Sequence, residues 1–554
     1  VLNYAITLTI GFLISCSLSA QQTVGLFKYD STSYDGYTLV SPFTSKHTYL
    51  INNCGHEIRK WTSEYQPGAV AYLKPNGNLL RTAHIENQRF DVGGGNGGRL
   101  EEFDWMGNLV WFMNLSTDNY SQHHDIELLP DGNILVLMWE FVSRNDAISV
   151  GIIDDRVPEG TWQESIWELA PLRDSGAIVV WKWNSLDHVI QNYNSMRANY
   201  GTIEDHPELI HINSNLITNN LDMLHFNSID YNEELDQIML SCHATSEIYI
   251  IDHSTTSSES RGHLGGNSNK GGDLLFRYGN PMAFNSGDET NQVSFQQHDA
   301  QWIPTGYPNE GNILFFNNGG DRQYSSIDMF KPVMNLDGTY KRESGQPFGP
   351  IKPDWSYTAK NKTDFFSIFI SGVQPFENGN FLICEGAKGH IFEINSQKEI
   401  VWDYVNPVNG GGPVKQGVNI QGNQVFRSYK YDVNSDAFAN KTIVEGKPLE
   451  LDPLPILCDD TTTTPADTST TFVDALFENN FDVYPNPSHG LIQIHAKTAI
   501  GEIAVFDERG KNVYNANFKG NDGHLDIQNL NNGIYSLHRM SNEGIYVIRI
   551  AKME

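Results

Sequence analysis

A chain of 554 residues is too long for a single ordinary core, so at least two domains are expected. Its 39% hydrophobic and 11% aromatic content is that of a globular protein rather than a disordered one. A formal charge of -30 at pH 7 repels phosphate backbones and argues against a nucleic-acid partner; solubility is the plain account of the acidity.

Residues 1–20 read as a signal peptide. Ile6 to Ala20 is an apolar run ending in small residues, too short for a membrane span. The basic leader is missing and the chain starts with Val, so the start reads as truncated or as an alternative codon. No later stretch approaches the ~20 apolar residues of a spanning helix, so no transmembrane segment is expected. Cys16 falls in the signal, and Cys54, Cys242, Cys384 and Cys458 show no C-x-x-C spacing. Cys54 and Cys458 lie at the two ends of the 21–458 region, where either a bridge or two buried thiols is compatible with export.

From about Lys46 the chain consists of short apolar runs punctuated by Gly, Asn and Asp. One amphipathic helical stretch is expected, in the Asp187–Tyr200 region. A strand-turn-strand phrase recurs at Leu73–Leu80, Leu129–Leu135, Tyr231–Leu240, Gly311–Leu314 and Phe376–Leu382. Asn-Gly and Asp-Gly pairs take the positive-φ turn at low cost and join antiparallel strands. A second phrase ending in Val-Trp follows most copies, as at Phe103–Trp111 and Phe392–Trp402. Two hairpins per repeat make a four-stranded unit, and a ring of such units is a β-propeller. Internal blades begin near Ala69, His124, His225, His298 and Ser371. A sixth is expected to pair Ile420–Lys430 with Thr48–Ile51 and Ile58–Trp61. The expected fold is therefore all-β, a six-bladed β-propeller over 21–458, with seven blades as the alternative.

Residues 459–474 (DDTTTTPADTSTTFVD) are a Thr-rich linker. Seven short strands in 475–554 suggest a small C-terminal β-sandwich. Its phrases FDVYPNPSHG, FDERGKNVY, LDIQNLNNGIYSL and GIYVIRIAK resemble the C-terminal sorting domain of the type IX secretion pathway. That resemblance implies the type IX machinery as a partner, and secretion or display on the outer cell surface.

Innermost propeller strands start at the central channel, and three repeats place histidine there: His124 (after His123), His225 and His298. Asn227 lies two residues beyond His225, on the same face of a regular strand. His243 ends that repeat's next strand. Histidine is only 18 of 554 residues, so its recurrence at equivalent positions points to shared chemistry. Convergent histidines suit a metal site, or imidazole acting as nucleophile or acid/base. The Gly93–Gly98 run precedes a strand and reads as a loop rather than an oxyanion cradle. Trp105, Trp111, Trp181, Trp183 and Trp402 read as packing between blades. Trp139, Phe141, Trp302, Phe315 and Phe316 are candidates to stack on an aromatic ligand.

The phrases Tyr49–Asn52, GGGNGGRLEEFDWMGNLVW, HHDIELLPDGNILVLMWE, HFNSIDYNEELDQIMLS and QHDAQWIP followed by GNILFFNNG resemble the bacterial arylsulfotransferase family. So does Ser371-Gly372-Val373-Gln374 running into Leu382–Gly386. The resemblance spans roughly Lys46 to Pro407. It implies transfer of a sulfuryl group from a phenolic sulfate donor to a phenol acceptor, through a transiently sulfated histidine and without cofactor or nucleotide donor. By position His298 resembles the family's nucleophile, His225 and Asn227 its H-x-N pair holding the sulfuryl oxygens, and His124 a further channel histidine. The family's arginine after the H-x-N pair is replaced by His243. Either His243 acts as a protonated donor, Arg322 or Lys388 enters from a loop, or transfer is impaired. Two rivals stay open: a metal-dependent hydrolase or oxidoreductase with His124, His225, His243 and His298 as ligands, and a non-catalytic propeller that binds glycan or protein.

Overall fold

The computed structural model describes residues 22–173, 175–454, 458, 481–484, 488, 490–496, 499–507, 511–541 and 544–552. The expected signal peptide and Thr-rich linker lie outside them. The chain divides into two compact units, Val1–Asp460 and Thr461–Glu554.

Asp-Gly and Asn-Gly turns set the hairpins of the first unit. At Asp131-Gly132, Gly132 has φ 92° and its N–H donates to Leu129 O at 3.0 Å, returning the chain as the next strand. Four consecutive antiparallel sheets follow from such turns, with innermost strands Pro67–Leu73, Tyr120–Leu128, Phe226–Asn232 and His298–Trp302. A fifth sheet starts at Gly372–Pro375 and takes Gly25–Tyr29 as an added outer strand. In the sixth, Tyr429–Asp432 is innermost and pairs with Gly36–Val40, followed by His47–Ile51 and Glu57–Thr62.

Hydrogen bonds tie each innermost strand to the next in a closed circuit. Asp125 Oδ2 accepts from Ile229 N at 3.1 Å, Ser228 Oγ from Ala300 N at 3.1 Å, and Asp299 Oδ2 from Val373 N at 2.7 Å. Gln374 Oε1 accepts from Lys430 N at 2.7 Å, Tyr431 Oη from Leu73 N at 2.8 Å, and Tyr72 Oη donates to Asp125 Oδ1 at 2.9 Å. The architecture is a β-propeller, with its apolar cores between sheets. Trp181 and Trp183 pack with Phe226 and Tyr249 of the following sheet, and Trp402 packs with Tyr49 and Val40 of the closing one. Cys54 and Cys458 form a disulfide with Cα atoms 5.8 Å apart, while Cys242 and Cys384 are free and buried.

The expected helix in the Asp187–Tyr200 region is absent. Ser185–His188 is a 3-10 turn, and Val189–Ile190 pairs in parallel with Ile210–His211. Gln191 Oε1 accepts from the N–H groups of Tyr193 and Asn194, a local turn that competes with a helix. Arg144–Ser149 is the α-helix among the described residues. No described helix is long and apolar enough to cross a membrane.

The second unit packs two antiparallel sheets. One orders Phe481–Tyr484, Leu491–Ala496 and Asp522–Asp526; the other orders Asn512–Phe518, Gly501–Phe506, Gly533–Ser541 and Gly544–Lys552. Alternate residues Ile492 and Ile494 meet Ile503, Val505 and Leu537 in the shared core.

Candidate active site

The innermost strands do not enter the channel as regular strands. His124, His225, Gln296 and Asp299 take left-handed backbone, with φ of 45°, 53°, 56° and 56°. Such values are sparse for non-glycine residues and cluster where a side chain must be aimed against local preference. Pairing slips by a bulge between Val136 and Met138 opposite His123–Asp125, between Phe226 and Ser228, and between His298 and Gln301.

These bends gather five imidazoles into a continuous row. Ring centroids are 5.2 Å apart for His123–His124, 4.6 Å for His124–His225, 5.0 Å for His225–His243 and 5.7 Å for His243–His298. Phe426 packs against the rings of both His124 and His298. His225 and His243 line a cavity of about 410 Å³ together with Asp222, Asn219 and Gln296. His124 and His298 lie deeper, each 3% exposed.

Asn227 falls at the bulge that follows His225. The bulge turns it toward the neighbouring sheet, where Nδ2 donates to Gln297 O at 2.8 Å, bracing the residue before His298. His298 is fixed by Asn318, whose role the sequence does not signal. Asn318 Nδ2 donates to Ser367 O and Ile370 O, both at 2.8 Å, so its Oδ1 must be the atom 2.8 Å from His298 Nδ1. Nδ1 therefore carries the hydrogen and Nε2 the lone pair. Replacing Asn318 with Leu is expected to cost about 1–3 kcal/mol through the orphaned carbonyls, and to slow turnover with little change in KM. Denaturant titration and steady-state kinetics check both.

Charge along the row is uneven. Burial and the neighbouring His243 ring hold His298 well below the usual imidazole range, although Asn318 opposes this. Burial, then His225, pushes His124 well down. Burial and His225 bring His243 down to about 3. His225 is the exception. Burial works against its charge, yet the Asp222 carboxylate bonded to its Nδ1 raises it above the ordinary value, with help from Glu164. Of these four rings His225 alone is biased toward the charged form. Asp222 precedes His225 by three residues, a D-x-x-H spacing that was visible in the sequence.

The Gly93–Gly98 loop closes over this row. A Cβ on Gly95, at φ 76°, would lie 2.2 Å from His124 Nε2, and one on Gly93 would lie 2.9 Å from Trp139 Cη2. Gly95→Ala is expected to displace the loop or His124 and to lower activity at least about tenfold, with a loss of at least about 1 kcal/mol from the strained φ; a melt and an initial-rate assay check it. Trp139 is fully buried and stacks on His123 at 4.1 Å, whereas Trp302, Phe315 and Phe316 belong to cores between sheets.

The chain over residues 73–430 matches the model of the Arylsulfotransferase (ASST) family. The protein belongs to the arylsulfotransferase family. Residues 482–553 match the secretion system C-terminal sorting domain, of the type IX kind, which implies export to the cell surface or release. No curated protein matches. Among solved structures, a protein of unknown function from Bacteroides caccae is 13% identical, covering 72% of this chain and 98% of its own, with a TM-score of 0.38. The β-propeller domain of Myceliophteria thermophila Swd1 is 7% identical over 74% of this chain and 97% of its own, with a TM-score of 0.34. Virginiamycin B lyase from Staphylococcus aureus is 10% identical over 72% of this chain and 87% of its own, with a TM-score of 0.31.

The arginine that arylsulfotransferase resemblance led us to expect near the H-x-N pair is supplied neither by Arg322 nor by Lys388. Arg322 stacks over Phe295 and Tyr324, and Lys388 Nζ pairs with Glu385 Oε1 at 2.5 Å. With its pKa near 3, His243 is neutral rather than a protonated donor. A buried guanidinium reaches the channel from the closing segment instead. Arg427, next to Phe426, holds Asp125 Oδ2 at 2.9 Å and Asp299 Oδ1 at 3.0 Å through Nη1, while Nε and Nη2 have no hydrogen-bond partner. Its carboxylates directly follow His124 and His298 in sequence, so Arg427 links both strands. Burial lifts Asp299 to about 6 and Asp230 to about 7. Arg427→Met leaves two buried carboxylates without a cation and is expected to cost about 3–5 kcal/mol, read by urea unfolding.

Among the described residues, the group of three or more His, Cys, Asp or Glu whose ligand atoms all lie within 4.8 Å is His188, His263 and Asp273. The channel imidazoles form a row rather than such a focus.

Proposed function

We propose that the protein is an exported arylsulfotransferase that moves a sulfuryl group from a phenolic sulfate to a phenolic acceptor through a sulfohistidine at His298. The observation that carries this is the Asn318 clamp, which leaves Nε2 of a neutral, buried imidazole as the free lone pair.

The donor enters through the cavity lined by His225 and His243. His298 Nε2 attacks sulfur; the S–N bond forms as the S–O(aryl) bond breaks, and the electron pair leaves with the phenolate. A phenolate, whose conjugate acid has a pKa near about 10, is a tolerable leaving group. His225, held protonated by Asp222, gives it the proton and departs from the half-reaction neutral. The acceptor phenol then returns a proton to His225 as its oxygen attacks sulfur and releases His298. Microscopic reversibility gives both half-reactions the same groups, a ping-pong cycle. Until it gives up that proton, the charge of His225 also offsets the negative charge of the sulfuryl group. Asn227, which is turned to Gln297 O, is assigned bracing of the nucleophile's strand; His124 is assigned a wall of the sulfuryl site.

The test is to quench the full chain after brief exposure to a chromogenic aryl sulfate without acceptor and to map the labelled peptide. Sulfate on the peptide carrying His298 is expected. A burst of phenol with the label on another residue would overturn the assignment, and phenol release only in proportion to added metal would favour the metal-dependent rival.

A further inference from the structure

Away from the channel, a second cluster has no part in sulfuryl transfer. We propose that His188, His263 and Asp273 form a structural site for a borderline divalent cation of the zinc type, which fastens the long segment 253–273 to the propeller.

Hydrogen bonding makes the case. His188 is fully buried, and its Nε2 lies 2.8 Å from Ser260 O, a carbonyl that can only accept. Nε2 therefore bears a hydrogen, which leaves Nδ1 as the ring atom that faces Asp273. That atom lies 2.8 Å from Asp273 Oδ1, another acceptor. A contact this short between a ring nitrogen and a carboxylate oxygen needs a proton or a metal ion between them. His263 Nδ1 faces the same carboxylate oxygen at 2.8 Å, so three ligand atoms converge on one point from two sides. A ring nitrogen held by a backbone carbonyl is the usual second support of a metal-bound histidine, fixing its tautomer and orientation.

The surroundings fit three protein ligands with one open position. Trp183 stacks on His188 at 5.4 Å and donates from Nε1 to Gly272 O at 2.8 Å, which positions the residue before Asp273. His263 is exposed, leaving room for a water as fourth ligand. With bonds of about 2.0–2.2 Å, tetrahedral ligand atoms sit about 3.3–3.6 Å apart, so the two 2.8 Å contacts to Asp273 open by about 0.5–0.8 Å on binding. Two imidazoles with one carboxylate favour zinc over calcium or magnesium, which prefer oxygen.

The site also answers a need of the chain. Segment 253–273 joins the strands Glu247–Asp252 and Leu274–Tyr278 with only the 3-10 turn Glu259–Arg261 inside it. Connections beyond about 12–15 residues without regular structure are uncommon in compact domains. Ligands at 188, 263 and 273 pin this one near its middle and its end.

The full chain is stripped with a chelator, dialysed, and titrated with Zn²⁺ by calorimetry, with the bound metal counted after gel filtration. One equivalent is expected on the parent. His263→Ala, at an exposed position that does not endanger folding, is expected to weaken binding at least about tenfold. His243→Ala, in the channel, is expected to retain it. Zinc should also slow proteolysis within 253–273 in the parent and not in His263→Ala. Failure to hold an equivalent would overturn the proposal and leave a proton in the metal's place. Binding unchanged in His263→Ala, or lost in His243→Ala, would equally overturn it and place the ion in the channel.

Discussion

His298→Asn is expected to lower sulfuryl transfer by at least about 10³-fold in kcat, with KM for the aryl sulfate changed far less. Asparagine fills much of the same space and can still bond to Asn318, so the row and its fold stay in place. What it lacks is the aromatic nitrogen lone pair at Nε2, and an amide nitrogen is no nucleophile toward sulfur. The loss therefore falls on the chemical step rather than on binding, and no sulfated peptide accumulates. Kinetics with a chromogenic donor, together with a melt showing an unchanged fold, separate these outcomes. Transfer at the parental rate would remove His298 from the reaction.

Asp222→Asn tests the other half of the chemistry. In the parent, the Asp222 carboxylate holds His225 above the ordinary imidazole value against the pull of burial. A raised pKa keeps the acid form present until the pH passes through that value. Without the carboxylate, burial dominates and His225 loses its proton below the usual value of about 6.5. The limb of kcat/KM that falls as pH rises should shift to lower pH, and the rate at pH 7 should drop by about 10²-fold. Donors with more acidic phenols need less help from an acid, so their loss should be smaller. An unshifted limb with equal losses for all donors would show that His225 does not protonate the leaving group.

What was legible in the sequence was the grammar of hairpins. Asp131-Gly132 and Asn378-Gly379 announce turns because few residues accept that backbone, and the apolar runs beside them became strands. The innermost starts near His124, His225, His298 and Ser371 followed from the same rhythm. Gly25–Tyr29 and Gly36–Val40 escaped notice because each finds its partner hundreds of residues later, at Ile400–Val405 and Tyr429–Asp432. Asn318 sits in an Asn-Asn-Gly-Gly run that reads as a turn, and only its three hydrogen bonds disclose a further task. Arg427 gave no signal either, since its meaning depends on Asp125 and Asp299 in other sheets. Asn227 falls on a bulge, where alternation along a strand no longer tells which face a side chain takes.

Closure of the circuit by both chain ends has a consequence for the order of events in biogenesis. The strand at Gly25 waits for Ile400–Val405, and the hairpin after Gly36 waits for Tyr429–Asp432. At about 5–20 residues per second, some 375 residues of synthesis separate Gly25 from Ile400, an interval of roughly 20–75 s. Throughout it, two sheets have open edges and Asp125 and Asp299 have no guanidinium between them. The chain therefore cannot close its circuit until its last strands have been made. Cys54 can meet Cys458 only after that, so the covalent latch joins the two ends of a circuit whose strands have all been made.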